Sequence, residues 1–405
     1  MKLKTGWAAH SRRAVLRHGA AVVMGAAAGL GAPWAHGARA PIVVWHTPEG
    51  ARALRESSVA FTRDTGVPVV VETPDEGPVK FQQAAAAGKG PDLYVYAHDR
   101  IGEWIGGGLL HSVSPNRAML QDIDPLAWRG YTHKGRLWGY PMSVEAITLI
   151  YNKALIDRAP QTWEEVFEID RRLQRQGRRA ILWDYTNSYF TFALLAAHGG
   201  YAFGRRADGS IDPQDVGVAT PGALRGARVV ERLVREGVMP PGSGYPEMEA
   251  AMAAGRVAMT INGPWAWVNL RRAGIDFGVA RLPLLEGKPC VPFVGVKGIM
   301  VNRATRQREL CAELVEHHIL SAQGVRRLNA AEPLGATASR EVFRELSADA
   351  RIRVIMDSAQ DGIPTPNNPE RGRFWSAMKT ALTNVSEGRQ EARAALEAAA
   401  RRMKA

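Results

Sequence analysis

The sequence predicts an α/β protein of two lobes, each a sheet flanked by helices, and three observations carry that prediction. From Pro41 onward, short β-branched runs alternate with longer amphipathic ones. The chain has 405 residues, beyond the size at which one hydrophobic core keeps growing, so two domains are expected. No internal repeat and no low-complexity linker lies between them, so the chain must cross more than once, through strands that pass directly from one lobe to the other.

The first series reads as strand 42–45, helix 51–63, strand 67–72, helix 79–87 and strand 92–96, a succession that predicts a largely parallel sheet. Asp64, Thr65 and Gly66 end the first helix, and residues 88–91 end the second. A long apolar stretch over 138–151 leads to Thr162, which stands three residues before Glu165 as in a capping box and opens a helix to about residue 174. A second series follows as strand 180–184, helices 189–197, 223–235 and 245–254, and strands 257–261 and 277–282. The rest reads as helix, over 305–329, 339–346, 349–360 and from Pro369 to the end.

The N-terminus sets the expected compartment. Ser11, Arg12, Arg13, Ala14, Val15 and Leu16 precede a weakly apolar run from Gly19 to Pro33 and a small-residue end at Gly37. This pattern reads as a cleavable twin-arginine export signal over residues 1–37, whose apolar run of about fifteen residues is shorter than the roughly 20 a spanning helix needs. Its removal takes Lys2, Lys4, Arg12, Arg13 and Arg17 and no acid, which lowers the formal charge from +12 to +7. The remaining basic residues come in scattered pairs such as Arg205 and Arg206, with acids nearby, so a nucleic-acid track is not expected. Cys290 and Cys311 cannot make a disulfide framework and are expected as free, partly buried thiols.

An enzyme would need a nucleophile with its base, a metal cluster or a placed carboxylate pair. His317 and His318 are adjacent, about 100° apart on a helix, and cannot share one metal. Gly106 to Gly108 lack the following lysine and hydroxyl of a phosphate loop, and Pro241 breaks the nucleophile-elbow spacing around Ser243. No catalytic residue, metal site or cofactor is expected. Aromatic residues instead stand at chain reversals beside carboxylates and amides: Tyr94 and Tyr96 before Asp99 and Arg100, Tyr189 and Phe190 after Asn187, Trp265 and Trp267 after Asn262, and Phe374 and Trp375 after a proline-rich loop. Rings with polar groups at their edges suit a sugar, which has an apolar C–H face and a rim of hydroxyls.

From Ile42 to Arg402 the chain resembles the periplasmic maltose/maltodextrin-binding proteins, which capture sugar for ABC importers. The stretches that carry the resemblance include Gly90-Pro91-Asp92, Ala97 to Arg100, Val144-Glu145-Ala146, Leu149 to Lys153, Thr162 to Glu165, Pro333 to Ala336, Gly388-Arg389-Gln390 and, above all, Ala258 to Trp267. The resemblance implies lobes over 38–143 with 299–344 and over 148–293 with 351–405, joined by hinge segments 144–147, 294–298 and 345–350. It implies a monomeric periplasmic protein whose partners are an oligosaccharide and the permease subunits of the inner membrane. The family's stacking aromatics fall on Tyr96, Tyr189, Trp265 and Trp375, with Tyr245 and Phe190 beside them, and its polar contacts on Asp99, Arg100 and Glu145. Glu49 stands where the family has an aspartate and Asn187 where it has a glutamate. The following lysine is deleted at Gly50, Glu76 and Pro78 replace a lysine and a glutamate, and Lys379 replaces an arginine. The stacking platform is kept while the hydroxyl-reading rim changes, so maltose, a maltodextrin or a related α-linked glucoside is the expected ligand. The same fold binding a non-sugar solute, and a periplasmic glycoside hydrolase, remain the alternatives.

Overall fold

The computed structural model describes residues 39–207 and 211–405; the export signal read over residues 1–37 lies outside them. Following the chain shows how two sheets form. Strands β1 (Ile42–Trp45), β2 (Val69–Glu72), β3 (Leu93–Ala97) and β4 (Leu110–His111) belong to a first sheet, and a small hairpin of β5 (Thr132–His133) and β6 (Arg136–Leu137) precedes β7 (Tyr140–Ala146) in that same sheet. The buried Ile147 is the only residue between β7 and β8 (Thr148–Asn152), yet β8 lies in a second sheet with β9 (Arg179–Ile181). A hairpin of β10 (Gly204–Arg205) and β11 (Ile211–Asp212) leads to β12 (Val257–Asn262) and β13 (Phe277–Ala280), which complete the second sheet. The chain then returns to the first through β14 (Phe293–Asn302), β15 (Ala336–Thr337) and β16 (Ile363–Pro364).

The direct passage expected between the sheets is thus made at Ile147. The largely parallel sheet is not found. In the first sheet β1 pairs in parallel with β2 and β3, but β14 runs antiparallel to β3, β4 and β7, and in the second β8 runs antiparallel to both β12 and β13. The physical reason is the crossing itself: a strand that re-enters a sheet from the other lobe arrives at the edge where its neighbours end, and must run against them. The carboxyl ends of β1, β3 and β7 therefore share one edge, those of β9, β12 and β13 share another, and the two edges meet at Ile147. Strand ends of this kind form ligand crevices.

The helices follow their local chemistry. Gly66 closes helix Pro48–Thr65 in the left-handed region at φ 70°, where glycine alone is unstrained. Thr162 caps helix Trp163–Gln174 by accepting from the Glu165 amide at 3.3 Å, while the Glu165 carboxylate accepts from the Gln161 amide and not from Thr162, so the box is half formed. The single helix read over 305–329 is broken. Helix Arg308–Glu313 runs into a π turn at Leu314–Ile319, and Ser321 in extended geometry starts helix Ala322–Ala331 by accepting from the Gly324 amide. A serine that can cap is a better helix start than a helix interior, and its signal was present in the sequence. Both cysteines are free and buried, and burial pushes each thiol up to about 12. No helix among the described residues is long and apolar enough to cross a membrane.

Candidate functional site

The second sheet places four aromatic rings at its carboxyl edge. Strand β12 ends at Asn262, and Gly263 and Pro264 turn the chain so that the Trp265 ring folds back over Gly263; a Cβ there would overlap the indole, which explains the glycine. Asn187 caps helix Ser188–Ala196 by accepting from the Tyr189 amide at 3.1 Å, which fixes Tyr189 and Phe190 at the helix start. Tyr189 then lies 6.2 Å from Trp265, and Phe190 lies 6.4 Å from Trp265 and 6.1 Å from Tyr245, between ring centres. The Tyr245 hydroxyl is held by the Asn262 amide at 3.3 Å.

The same helix reaches a second aromatic group. Phe192 stacks on Phe293 at 4.3 Å, and Phe293 meets Trp375 at 5.8 Å. The third group lies on the first sheet, where Tyr96 stacks on Tyr94 at 5.6 Å and 7°. Among the described residues no direct ring contact joins Trp375 to Trp265 or to Tyr96.

Charged groups line the first-sheet edge between these rings. Glu145, near the end of β7, accepts from the Ser143 hydroxyl at 3.3 Å; burial pushes its carboxyl above the usual range while Lys297 pulls it down. Asp99 accepts from Arg371 Nη1 at 2.7 Å; burial again raises the carboxyl, against the pull of Arg371 and Arg100. Arg100 reaches Gln82 at 3.5 Å and Glu103 at 3.9 Å. Burial raises the Tyr189 phenol, and the nearby charges of Glu145 and Asp99 raise it further, which ties the second-sheet ring to both first-sheet carboxylates. A Cβ added to Gly295, on β14, would lie 3.5 Å from the Tyr189 hydroxyl and 3.8 Å from the Glu145 Cβ, so the three meet at one point.

Of the expected residues, Tyr189, Phe190, Tyr245 and Trp265 form one ring cluster beside Glu145, Tyr96 stands with Asp99 and Arg100 on the first sheet, and Trp375 packs on Phe293. Glu49 sits in the first turn of helix Pro48–Thr65, and its side chain lies outside the described residues. Asn187 uses one of the two lone pairs of its carbonyl oxygen on the helix cap, so its side chain is held by the helix start. Four residues went unnoticed in sequence: His46, Lys297, Glu332 and Arg371. Lys297 lies 2.5 Å from Glu332, whose second oxygen is 3.9 Å from the His46 imidazole, and that imidazole packs where a Gly50 side chain would be. Burial, then the Lys297 charge, pushes His46 well below the ordinary histidine range, so it is neutral. The position where the lysine of the resemblance is deleted thus faces the His46 imidazole and the Glu332 carboxylate, and Lys297 of β14 pairs with that carboxylate. The signal was a lone lysine in the apolar run Phe293 to Val301.

Two sheets meeting at their carboxyl edges, with rings and buried charges between them, define a protein that holds a solute in a crevice. Residues 46–323 match the family described as bacterial extracellular solute-binding protein, and the chain belongs to that family. It is 28% identical to the galactooligosaccharide-binding protein of Bacillus subtilis over 89% of this chain and 87% of that one. It is 27% identical to the maltotriose-binding protein of Pyrococcus abyssi, over 85% and 77% of the two chains. It is 25% identical to a maltooligosaccharide ABC transporter solute-binding lipoprotein of Streptococcus pneumoniae, over 84% and 83%.

Proposed function

We propose that this chain captures a neutral oligosaccharide outside the cytoplasmic membrane and delivers it to the permease of an ABC importer, with α-linked glucans such as maltodextrins as the ligand class. The observation that carries this is the ring cluster of Tyr189, Phe190, Tyr245 and Trp265 beside the half-buried Glu145 and Asp99, which offers stacking surface and hydroxyl partners together. The relatives described above are named as binding proteins for oligosaccharides, two of them for maltotriose or maltooligosaccharides. The twin-arginine leader, periplasmic release, a monomeric state and closure of two lobes about segments 144–147, 294–298 and 345–350 belong to the same proposal.

Titration calorimetry against maltose, maltotriose, trehalose, β-1,4-galactobiose and cellobiose tests it. The α-linked sugars should bind, and Trp265→Ala and Trp375→Ala should each weaken binding by about thirtyfold, or roughly 2 kcal/mol, with the fold intact. Binding of galactobiose alone would move the ligand class to β-galactosides. Binding of no sugar, or release of reducing ends from one, would overturn the proposal.

A further inference from the structure

Lys297 is the one charged residue of β14, and it stands between the buried Val296 and Gly298. Its side chain keeps 13% of its surface open. The pleat sets which way it looks. Gly295 and Lys297 are two residues apart and share a face, and Gly295 looks at the Tyr189 hydroxyl and the Glu145 Cβ. The register agrees, pairing Gly295 with Glu145 and Lys297 with Ser143, whose hydroxyl donates to Glu145. The ammonium is also near enough to pull the Glu145 carboxyl down. Lys297 therefore belongs to the crevice side of the sheet, beside the ring cluster.

Its ion pair is poorly made as a device for stability. Nζ lies 2.5 Å from Glu332 Oε1, which matches one of the three ammonium donors, and the other two have no partner among the described residues. Glu332 Oε2 is closed to solvent and unmatched, 3.9 Å from the His46 imidazole. Glu332 is also the residue that ends helix Ala322–Ala331, where the exposed helix carbonyls disfavour a carboxylate. Apolar side chains at both positions would carry none of these costs. Several local rules broken by one pair, on the crevice face, mark a pair kept for what it binds.

The neighbours decide what the two spare N–H groups can hold. Glu145 and Glu332 flank the ammonium, and the His46 imidazole beside them is neutral. Two carboxylates against one ammonium leave the group negative, so it repels an anion. A ligand amine offers the spare N–H groups no lone pair once it is protonated. What remains is a neutral oxygen acceptor, and a sugar hydroxyl is one.

We propose that Lys297 donates a hydrogen bond to one hydroxyl of the bound sugar and so determines which sugar is accepted, with Glu332 as the positioning residue that holds the ammonium. The inference rests on the oligosaccharide reading and adds to it a residue outside the set that the resemblance supplies.

The test is calorimetry on the wild type, Lys297→Met and the double variant Lys297→Met/Glu332→Gln, with maltotriose, β-1,4-galactotriose, the monodeoxy derivatives of whichever binds, and its uronate analogue. The quantity read is the ratio of affinities for parent and deoxy sugar. In the wild type that ratio should be roughly 10- to 100-fold for the hydroxyl that Lys297 reaches, because its removal leaves a buried donor unmatched. Lys297→Met keeps the apolar stem; it should bind the parent more weakly by the same factor, bind that deoxy sugar as the wild type does, and leave the ratios for the other hydroxyls alone. The double variant also removes the carboxylate charge left without its partner, and it decides if the single variant does not fold. Parent and deoxy sugars weakened in equal proportion, as a purely structural ion pair would give, overturn the contact. So does a wild type that binds the uronate more tightly than its neutral parent, and both results leave the oligosaccharide reading standing. A wild type that binds no member of the panel overturns both.

Discussion

At the scale of single residues, the acid response of the protein is set by imidazoles that the fold keeps neutral. His98 accepts the Val296 amide at 2.9 Å through Nδ1, which pins β14 to the turn after β3, and burial pushes its pKa down to about 4. An unfolded histidine titrates near 6.5, so between that pH and about 4 the unfolded chain takes a proton that the folded chain refuses. Stability from this group is therefore full above about 6.5 and falls by about 3 kcal/mol as the pH drops to about 4. His46 acts in the same direction, whereas the raised carboxyls of Asp99 and Glu145 act in the opposite one. His98→Asn keeps an acceptor for Val296 and cannot titrate, so its melting temperature should fall less between pH 6.5 and 4 than the wild type's; parallel pH profiles would refute the assignment. The residues that the sequence singled out, Trp265, Tyr189, Glu145 and Asp99, stand near a strand end or, for Tyr189, at a capped helix start, where an aromatic or acid in an apolar context is conspicuous. Arg371 and Asp99 are 272 positions apart, and nothing local marks one as the partner of the other.

At the scale of elements, close helix packing depends on particular glycines. Helix Pro221–Arg235 crosses helix Ser188–Ala196 with Gly226 against the backbone of Leu194 and Leu195, and a Cβ there would fall inside the Leu194 carbonyl. Backbone cannot yield as a flexible side chain can, so overpacking near 3 kcal/mol should outweigh the roughly 1 kcal/mol of helix propensity that alanine adds. Gly226→Ala should then lose about 2 kcal/mol, or 2–3 °C in melting temperature for a chain this long. Gly372, also helical but with nothing near its Cβ position, supplies the contrast: Gly372→Ala should gain up to about 1 kcal/mol. Equal shifts in scanning calorimetry would defeat the packing argument. Because helix Ser188–Ala196 also carries Tyr189 and Phe190, the Gly226 variant should weaken sugar binding as well. Periodicity and capping revealed this helix and most others. The long strand β14 was not legible, since its apolar run is interrupted by Lys297 and two glycines, Gly295 and Gly298, and its pairing with β3 and β7 is a matter of tertiary register.

At the scale of the whole molecule, a ligand that touches both carboxyl edges binds the closed arrangement better, and only such a difference can shift a hinge equilibrium. Small-angle scattering should therefore show a smaller radius of gyration with saturating maltotriose than without, starting from about 21 Å, the value for a compact chain of this length. An unchanged radius would remove closure from the proposal while leaving binding intact. Two sheets were legible from length and the missing linker, but which strand runs which way was not, because direction follows from where the chain re-enters. That re-entry has a consequence during synthesis. Strand β14 pairs with β3 on one side and β7 on the other, and it begins at Phe293, 147 residues after β7 ends at Ala146. At about 5–20 residues per second, a ribosome needs roughly 7 to 30 seconds to deliver it. Throughout that interval the nascent first sheet is split into halves with two bare apolar edges, the kind of surface that templates aggregation. The first lobe, although it comes first off the ribosome, cannot close until three-quarters of the chain has been made, so a chaperone that shields β3 and β7 should raise the yield more than one acting on the finished chain.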